Sequence, residues 1–492
     1  MIPGPGIWDA SQDMNGLQTR GETILRTVLA SAAIIYLLLY LAVAVLRINY
    51  PYELEWQEGG QVDQVLRILQ SEKLYVEPSR DFVPFAYNPL YYYVAAAVSL
   101  MTGPGFFALR LVSFSSSLAS LGILFLFARR ETGSSFLALL AVGLFAATYP
   151  LSDAWWDIGR VDSLFLFFLL SALYVLRFHF TTRGVIGAGV LFFLSFLTKQ
   201  TAMIPAVAMA LYCWTKDRRL GLFFSAASIG ASGLAYLLLD ALHNGWYSYY
   251  VLLLGRVPLE KTWFLQFWTQ DLLIHLPVVL LLCVYTLLQR QVASRRFHLF
   301  AATAILIVSW SGRVHSGGWM NALMPLHAEL ALLFCLGLQA AGKRHAIVAL
   351  TMIQFAILAY RPAEHLPTRE DRLAGDAFIE RLRNTTGDVL IPYHGFYSTL
   401  AGKKIHANIA TIHIIVGTGD AELSGKLFRQ IRESIQEQAY GAIVLDREWF
   451  RKDLDSYYQD DGPVFREPDV FQPVSGSPSR PQRIYIPRRL SH

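Results

Sequence analysis

The chain has 492 residues, of which 54% are apolar or aromatic and only 16% charged, against roughly 25% charged in an ordinary soluble domain. Its mean hydropathy is +0.37 and its formal charge is +5. This balance excludes a compact soluble enzyme, which would lack polar surface to cover itself, and a disordered scaffold, which would be richer in charge. No basic stripe of the kind that marks a nucleic-acid binder goes with the small positive charge, so no nucleic acid is expected as a partner. Cys213, Cys283 and Cys335 sit inside apolar runs and offer no disulfide framework. A polytopic membrane protein remains.

In chain order, residues 1–22 are polar and Gly/Pro-rich and read as a cytoplasmic N-terminal segment. The first apolar run, Thr27–Leu46, has the roughly 20 residues a bilayer crossing takes. Without a small-residue cleavage site after it, the run reads as an anchor. Runs near 106–128, 135–150, 162–178, 184–198, 201–215, 219–239, 272–289, 297–311, 320–338 and 345–360 complete about eleven spans, in a transmembrane domain over 23–360. The segment Pro89–Met101 is short and carries Tyr91, Tyr92 and Tyr93, so it reads as an interfacial or half-buried helix. On that count cations such as Arg26, Arg129, Arg130, Arg177, Lys343 and Arg344 fall on one side. Glu53, Glu55, Glu58, Asp63, Asp153, Asp157 and Asp162 fall on the other. The positive-inside rule then predicts a multi-pass plasma (inner) membrane protein with its carboxylates on the outer, periplasmic face.

From Arg361 to His492 the composition turns mixed and charged. Strand-like runs at Asp388–Pro392, Ala442–Asp446 and Arg483–Pro487, with a helix-period stretch Leu423–Gln438 between the first two, predict a small α/β domain over 361–492 on the outer face.

The chemistry is expected in the first outer loop, 47–88. Gln61–Leu69 has helical periodicity and reads as a helix lying in the membrane interface. Just before it stand Glu55 and Glu58, three residues apart and on one face if helical, flanked by Trp56, Gly59 and Gly60. An acidic residue after the first span, an amphipathic helix ending at Ser71–Tyr75, and the Tyr87–Tyr92 segment (Tyr-Asn-Pro-Leu-Tyr-Tyr) together resemble the first outer loop of the GT-C glycosyltransferases. Within that superfamily the pattern is similar to the protein O-mannosyltransferases and the lipid A aminoarabinose transferases. The resemblance extends over about residues 25–360 in organisation, and implies transfer of a sugar from a polyprenyl-phosphate carrier to an outer-face acceptor, whether lipid, polysaccharide or protein. Those families carry an Asp-Glu pair where this chain has Gln57-Glu58. Glutamine is no base, so the aspartate's role is vacant at Gln57, and Glu58 or Glu55 must take it.

One carboxylate suffices for such a reaction. Glycosidases need a second acid to protonate the leaving oxygen, but a departing polyprenyl phosphate leaves as an anion. A single base takes the acceptor proton while cations stabilise the phosphate. Candidates for those substrate contacts are Arg160 and Asp162 in the Trp155–Asp162 loop, and Lys199 with Gln200 in the polar break Thr198–Thr201, a Thr-Lys-Gln step that resembles one in these transferases. Arg313 and His315, at the Gly312–Asn321 span entrance, and Tyr87 complete the set. No His or Cys spacing of the zinc type occurs. Glu55, Glu58, Asp157 and Asp162 are oxygen donors suited to Mg²⁺ or Mn²⁺, and metal dependence stays open. No Gly-rich nucleotide loop is present, which argues against an ATP-driven pump and against direct use of a sugar nucleotide. Two alternatives remain: a transporter or flippase of a lipid-linked sugar, which predicts mid-span charges beyond Arg110 and Glu329, and a non-catalytic assembly subunit, in which Glu55 and Glu58 would be replaceable.

Overall fold

The computed structural model describes residues 10–290, 292, 294–342 and 345–488, with backbone alone for 10–22 and 345. Residues 1–9 of the expected cytoplasmic segment 1–22, with Lys343 and Arg344, therefore lie outside the described residues, and 10–22 continue α1. The apolar runs are helical. Helices α1 (Ala10–Arg47), α2 (Glu58–Leu69), α3 (Leu90–Thr102), α4 (Phe106–Thr132), α5 (Ser135–Ala147), α6 (Asp162–Phe178), α7 (Thr182–Thr198) and α8 (Met203–Lys216) follow one another. Among the described residues, five helical stretches are long and apolar enough to cross a membrane: Thr23–Arg47 within α1, α4, Arg218–Leu242, Arg295–Val314 and Met320–Ala341. Two bent pairs, Lys261–Leu273 with Pro277–Leu288 and Ala346–Ile357 with Pro362–Asn384, bring the number to seven if each is one span. The other runs of the hydropathy count, α5 to α8, form helices of 13, 17, 17 and 14 residues. The chain is a multi-pass membrane protein.

Close packing among the first helices follows from small residues. A Cβ on Gly143 of α5 would lie 2.3 Å from Ala33 Cβ of α1, so only glycine permits this approach. Ion pairs then pin the helix ends to the loops. Arg47, the last residue of α1, donates through Nε and Nη2 to Asp157 at 2.7 and 2.8 Å, and both side chains are buried. Arg110 of α4 donates to Glu58 at 3.0 and 2.7 Å and also reaches the carbonyls of Tyr50 and Tyr52. A guanidinium near the membrane is thus fully occupied by the first loop.

The segment after residue 361 carries a four-stranded sheet of β1 (Asp388–Leu390), β2 (Tyr440–Leu445), β3 (Tyr458–Pro463) and β4 (Arg483–Pro487), in the order β1-β2-β4-β3. β1 and β2 are parallel, with Val389 opposite Ala442, and the remaining pairs are antiparallel. The connection between β1 and β2 contains the helices Gly395–Leu400, Ile409–Gly417 and Ala421–Gln436. This segment does not keep its core to itself. Phe378, Leu382, Phe396, Tyr397 and Ile412 share one apolar cluster with Tyr52, Val62, Val65 and Phe85 of the first loop.

That shared core corrects the expectation for α2. Its first eight residues, Glu58 to Val65, are all buried, so this part of the helix is covered by protein where a lipid-facing surface was expected. Helix α3 forms where a short helix was expected. Tyr91 and Tyr92 are buried, with the Tyr91 hydroxyl donating to the Leu109 carbonyl at 3.0 Å, while Leu100 and Met101 at its far end are exposed.

Breaking a buried ion pair from one side strands the other charge, at a cost of about 3–5 kcal/mol. Arg110→Ala should therefore lower the thermal unfolding temperature of the detergent-purified protein sharply, and Arg110→Ala combined with Glu58→Ala should recover part of the loss. A double variant no more stable than the single one would contradict the pairing.

Candidate active site

The loops on the face that carries the first loop enclose a cavity of about 960 Å³. Its lining comes from the turn before α2, the loop before α6, the break between α7 and α8, the 251–259 and 311–325 stretches, and the helix Ile409–Gly417. Glu55, Tyr87, Arg160, Asp162, Lys199, Gln200 and His315 all line it. The fold thus brings together residues spread over 260 positions of sequence, from Glu55 to His315.

Glu55 sits on the turn that leads into α2. Its carboxylate accepts from Arg160 Nη1 at 3.0 Å and from the Gln57 backbone N–H at 3.2 Å. Arg160 also donates to Gln57 Oε1 at 2.6 Å and, more weakly, to the Tyr87 hydroxyl at 3.4 Å, and its guanidinium lies over the Trp155 ring. Its Nε has no partner among the described residues. Burial pushes the Glu55 carboxyl up to about 8 against the pull of Arg160, and the neighbouring Glu58 and Glu53 add to the rise.

Across the cavity, Asp162 opens α6, where the free N–H groups of a helix start favour a carboxylate. It accepts from Lys199 Nζ at 2.7 Å, Asn321 Nδ2 at 3.0 Å and Trp155 Nε1 at 3.0 Å. Lys199 ends α7, and this one ion pair leaves its other ammonium hydrogens for a ligand. Gln200 donates to the carbonyls of Ala86 and Val251 at 2.9 and 3.2 Å, tying two walls together. Its Oε1 and the neighbouring Thr201 hydroxyl have no partner among the described residues. His315 is held by a β-bridge to Leu259, and burial keeps its imidazole below the ordinary histidine range.

Two expected site residues stand elsewhere. Glu58 does not line the cavity. It begins α2, so it does not share a helix face with Glu55, and its oxygens are filled by Arg110 and by the N–H groups of Gly159 (2.6 Å) and Leu54 (2.7 Å). Burial alone would raise its carboxyl, but Arg110 and these donors hold it below the usual range. Arg313 is likewise absent from the lining. It donates to Asp271 at 2.9 Å and stacks over Trp263.

The cavity also holds residues that the sequence did not single out as site residues: Asn321, which lies at the end of the glycine-rich entrance, and Ala410, His413, Ile414, Gly417 and Ser477 of the C-terminal segment. No spacing links His413 to Glu55, and only the shared core brings them together. As for a divalent ion, Glu55, Glu58, Asp157 and Asp162 each face a different cation, Arg160, Arg110, Arg47 and Lys199. Among the described residues no three His, Cys, Asp or Glu side chains converge as a ligand set. The donors as arranged do not fit a metal, and no step is routed through one.

The family model of the dolichyl-phosphate-mannose-protein mannosyltransferases matches residues 84–239, a stretch that includes Tyr87, Arg160, Asp162, Lys199 and Gln200. No curated protein matches the chain. Among solved structures, apo ArnT from Cupriavidus metallidurans is similar at a TM-score of 0.59 and 11% identity, over 92% of this chain and 97% of that one. ArnT bound to undecaprenyl phosphate gives 0.52 and 13%, over 82% and 79%. The archaeal oligosaccharyltransferase AglB from Archaeoglobus fulgidus, in complex with an inhibitory peptide and a dolichol-phosphate, gives 0.51 and 12%, over 84% and 69%. At such identities the likeness speaks for the fold. The chain has the GT-C glycosyltransferase fold, and within it resembles the O-mannosyltransferase and ArnT families.

Proposed function

We propose that the chain is an integral-membrane glycosyltransferase that moves a sugar from a polyprenyl-phosphate carrier to an acceptor hydroxyl, inverting the anomeric carbon, with Glu55 as its single base. The observation that carries this reading is the composition of one cavity: a buried carboxyl with a raised proton affinity faces it together with Arg160 and Lys199. An apolar wall of Met203, Ile204, Val251, Leu254, Pro258 and Leu259 runs alongside and suits a lipid chain. The carriers named for the ArnT and AglB structures, undecaprenyl phosphate and dolichol-phosphate, belong to the same chemical class.

In the reaction, the acceptor oxygen bonds to the anomeric carbon and the bond from that carbon to the phosphate oxygen breaks. The acceptor proton passes to Glu55. The phosphate departs as an anion and needs no proton, and the Arg160 guanidinium and the ammonium hydrogens of Lys199, which line the cavity, stabilise its growing charge. Asp162, Gln200, Thr201 and Asn321 supply hydrogen bonds for sugar hydroxyls. On this reading the cavity and the C-terminal segment face outward from the plasma (inner) membrane, and the acceptor is a lipid, polysaccharide or protein hydroxyl. Against the transporter alternative, Arg110, in the first turns of α4, and Glu329, inside the span Met320–Ala341, are each engaged, by Glu58 and His298.

Native membrane vesicles supplied with radiolabelled polyprenyl-phosphate mannose or aminoarabinose test the reading. Label transferred to membrane acceptor supports it. Carrier crossing without transfer points to a transporter, and neither result points to a scaffold. Because the ionised carboxylate is the active form, transfer should rise as pH climbs through about 8 and level off above it. Glu55→Gln should lower the rate by about 10²–10⁴-fold, the usual worth of a general base. Arg160→Gln removes the cation that lowers the Glu55 proton affinity, so its residual activity should rise only at a still higher pH. A Glu55→Gln enzyme with wild-type turnover contradicts the assignment of the base.

A further inference from the structure

A second set of ionisable groups is buried in the seam between the first loop and the C-terminal segment, and the transfer step above makes no use of it. His394 Nδ1 lies 2.5 Å from Glu53 Oε2, and its Nε2 lies 2.9 Å from Asp446 Oδ2. The Ser479 hydroxyl donates to the same Asp446 oxygen at 2.5 Å, and the Tyr397 ring stacks on the imidazole with centroids 5.4 Å apart. His394, Glu53 and Asp446 are all within a few per cent of full burial. With an acidic side chain at each ring nitrogen, the imidazolium, which donates from both, matches the two acceptors, while burial raises the Glu53 carboxyl to about 7 against the pull of His394. Burial opposes the imidazolium charge, but Asp446 and Glu53 outweigh it and hold His394 up at about 10.

The contacts continue toward the base. Glu53 Oε1 accepts the Gly59 N–H at 3.0 Å, and the Glu53 N–H donates to the Tyr397 hydroxyl at 3.2 Å. A Cβ on Gly59 would sit 2.3 Å from that Glu53 oxygen, so the neck of the turn admits only glycine. Within it the Leu54 N–H donates to Glu58 Oε2 at 2.7 Å and the Glu58 N–H to the Glu55 carbonyl at 2.9 Å. The turn that bears Glu55 is therefore closed by the two oxygens of Glu53, one on Gly59 and the other on His394. The same C-terminal segment also touches Glu55 itself, since a Cβ on Gly476 (φ +77) would lie 2.6 Å from Glu55 Cγ.

We propose that His394 is a positioning residue: anchored by Asp446, it clamps Glu53 and so fixes the 53–59 turn that presents Glu55 to the acceptor. The C-terminal segment is then a working part of the transfer site. The inference rests on the reading of Glu55 as the base. It separates from a purely structural role by what changes in folded enzyme. A displacement of about 1 Å in a reacting group costs about 10²-fold in rate. The donor contact at Lys199, held by Asp162 outside the turn, should stay in place.

The test compares His394→Ala, His394→Gln and Asp446→Asn with wild type, each purified whole, quantified for folded protein by thermal unfolding, and assayed for polyprenyl phosphate release from the labelled donor. The expected result for His394→Ala is about 100-fold lower kcat per folded molecule with donor KM within about twofold. His394→Gln keeps a donor toward Glu53 and should recover part of kcat, with Asp446→Asn in between. If His394→Ala does not fold, the other two carry the comparison. Folded variants with kcat within about threefold of wild type overturn the proposal, as does a raised donor KM at unchanged kcat. A wild type that releases no polyprenyl phosphate overturns the transfer reading, and the proposal with it, and so is told apart from a failure of His394 alone.

Discussion

A carboxylate removed from water must find a cation and hydrogen-bond donors or keep its proton, and the seam around the first loop is organised by that constraint. Glu58 has Arg110 and two backbone N–H groups. Asp157 has Arg47 and the Tyr149 hydroxyl. Asp162 has Lys199, Asn321 and Trp155. Glu55 is served less well, because its one cation, Arg160, is divided among Gln57, Tyr87 and the open cavity. The same burial that makes its neighbours structural therefore leaves Glu55 with a raised proton affinity, so that it serves as a base once the pH climbs toward about 8.

The membrane helices make this arrangement by placing cations at their ends. Arg47 closes α1, Lys199 closes α7, and Arg110 reaches from the first turns of α4 into the loop above. The C-terminal segment completes it from the other side. Its apolar residues share a core with the first loop, its helix Ile409–Gly417 walls the cavity, and Gly476 lies against Glu55. Excluding water here strengthens each ion pair and raises the cost of leaving any carboxylate unmatched.

How much of this was readable from sequence depended on whether the signal was local. The apolar runs, the helix at Ala421–Gln436 and the strands β1, β2 and β4 follow from local periodicity. β3 did not stand out, because Tyr-Gln-Asp-Asp-Gly-Pro is an acidic edge strand without apolar alternation. Within the site, Arg160, Asp162, Lys199, Gln200 and His315 stand at breaks between apolar runs, where a charge is conspicuous, and all of them reach the cavity. Glu55 and Glu58 were not separable, since the choice turned on where α2 begins and on Arg110, which lies 52 positions away. Arg313 sits at a similar break, yet its partner Asp271 on a neighbouring helix takes it out of the cavity. His394 and His413 carried no spacing signal, because their roles depend on how the C-terminal segment seats on the loop.

The protonation state of Glu55 is the central claim, and an infrared titration that isolates the carboxyl band removed by Glu55→Gln measures it directly. The expected result is a protonated carboxyl at neutral pH that ionises near pH about 8. A Glu55 already fully ionised at a pH of about 6, in the ordinary carboxylate manner, would contradict it.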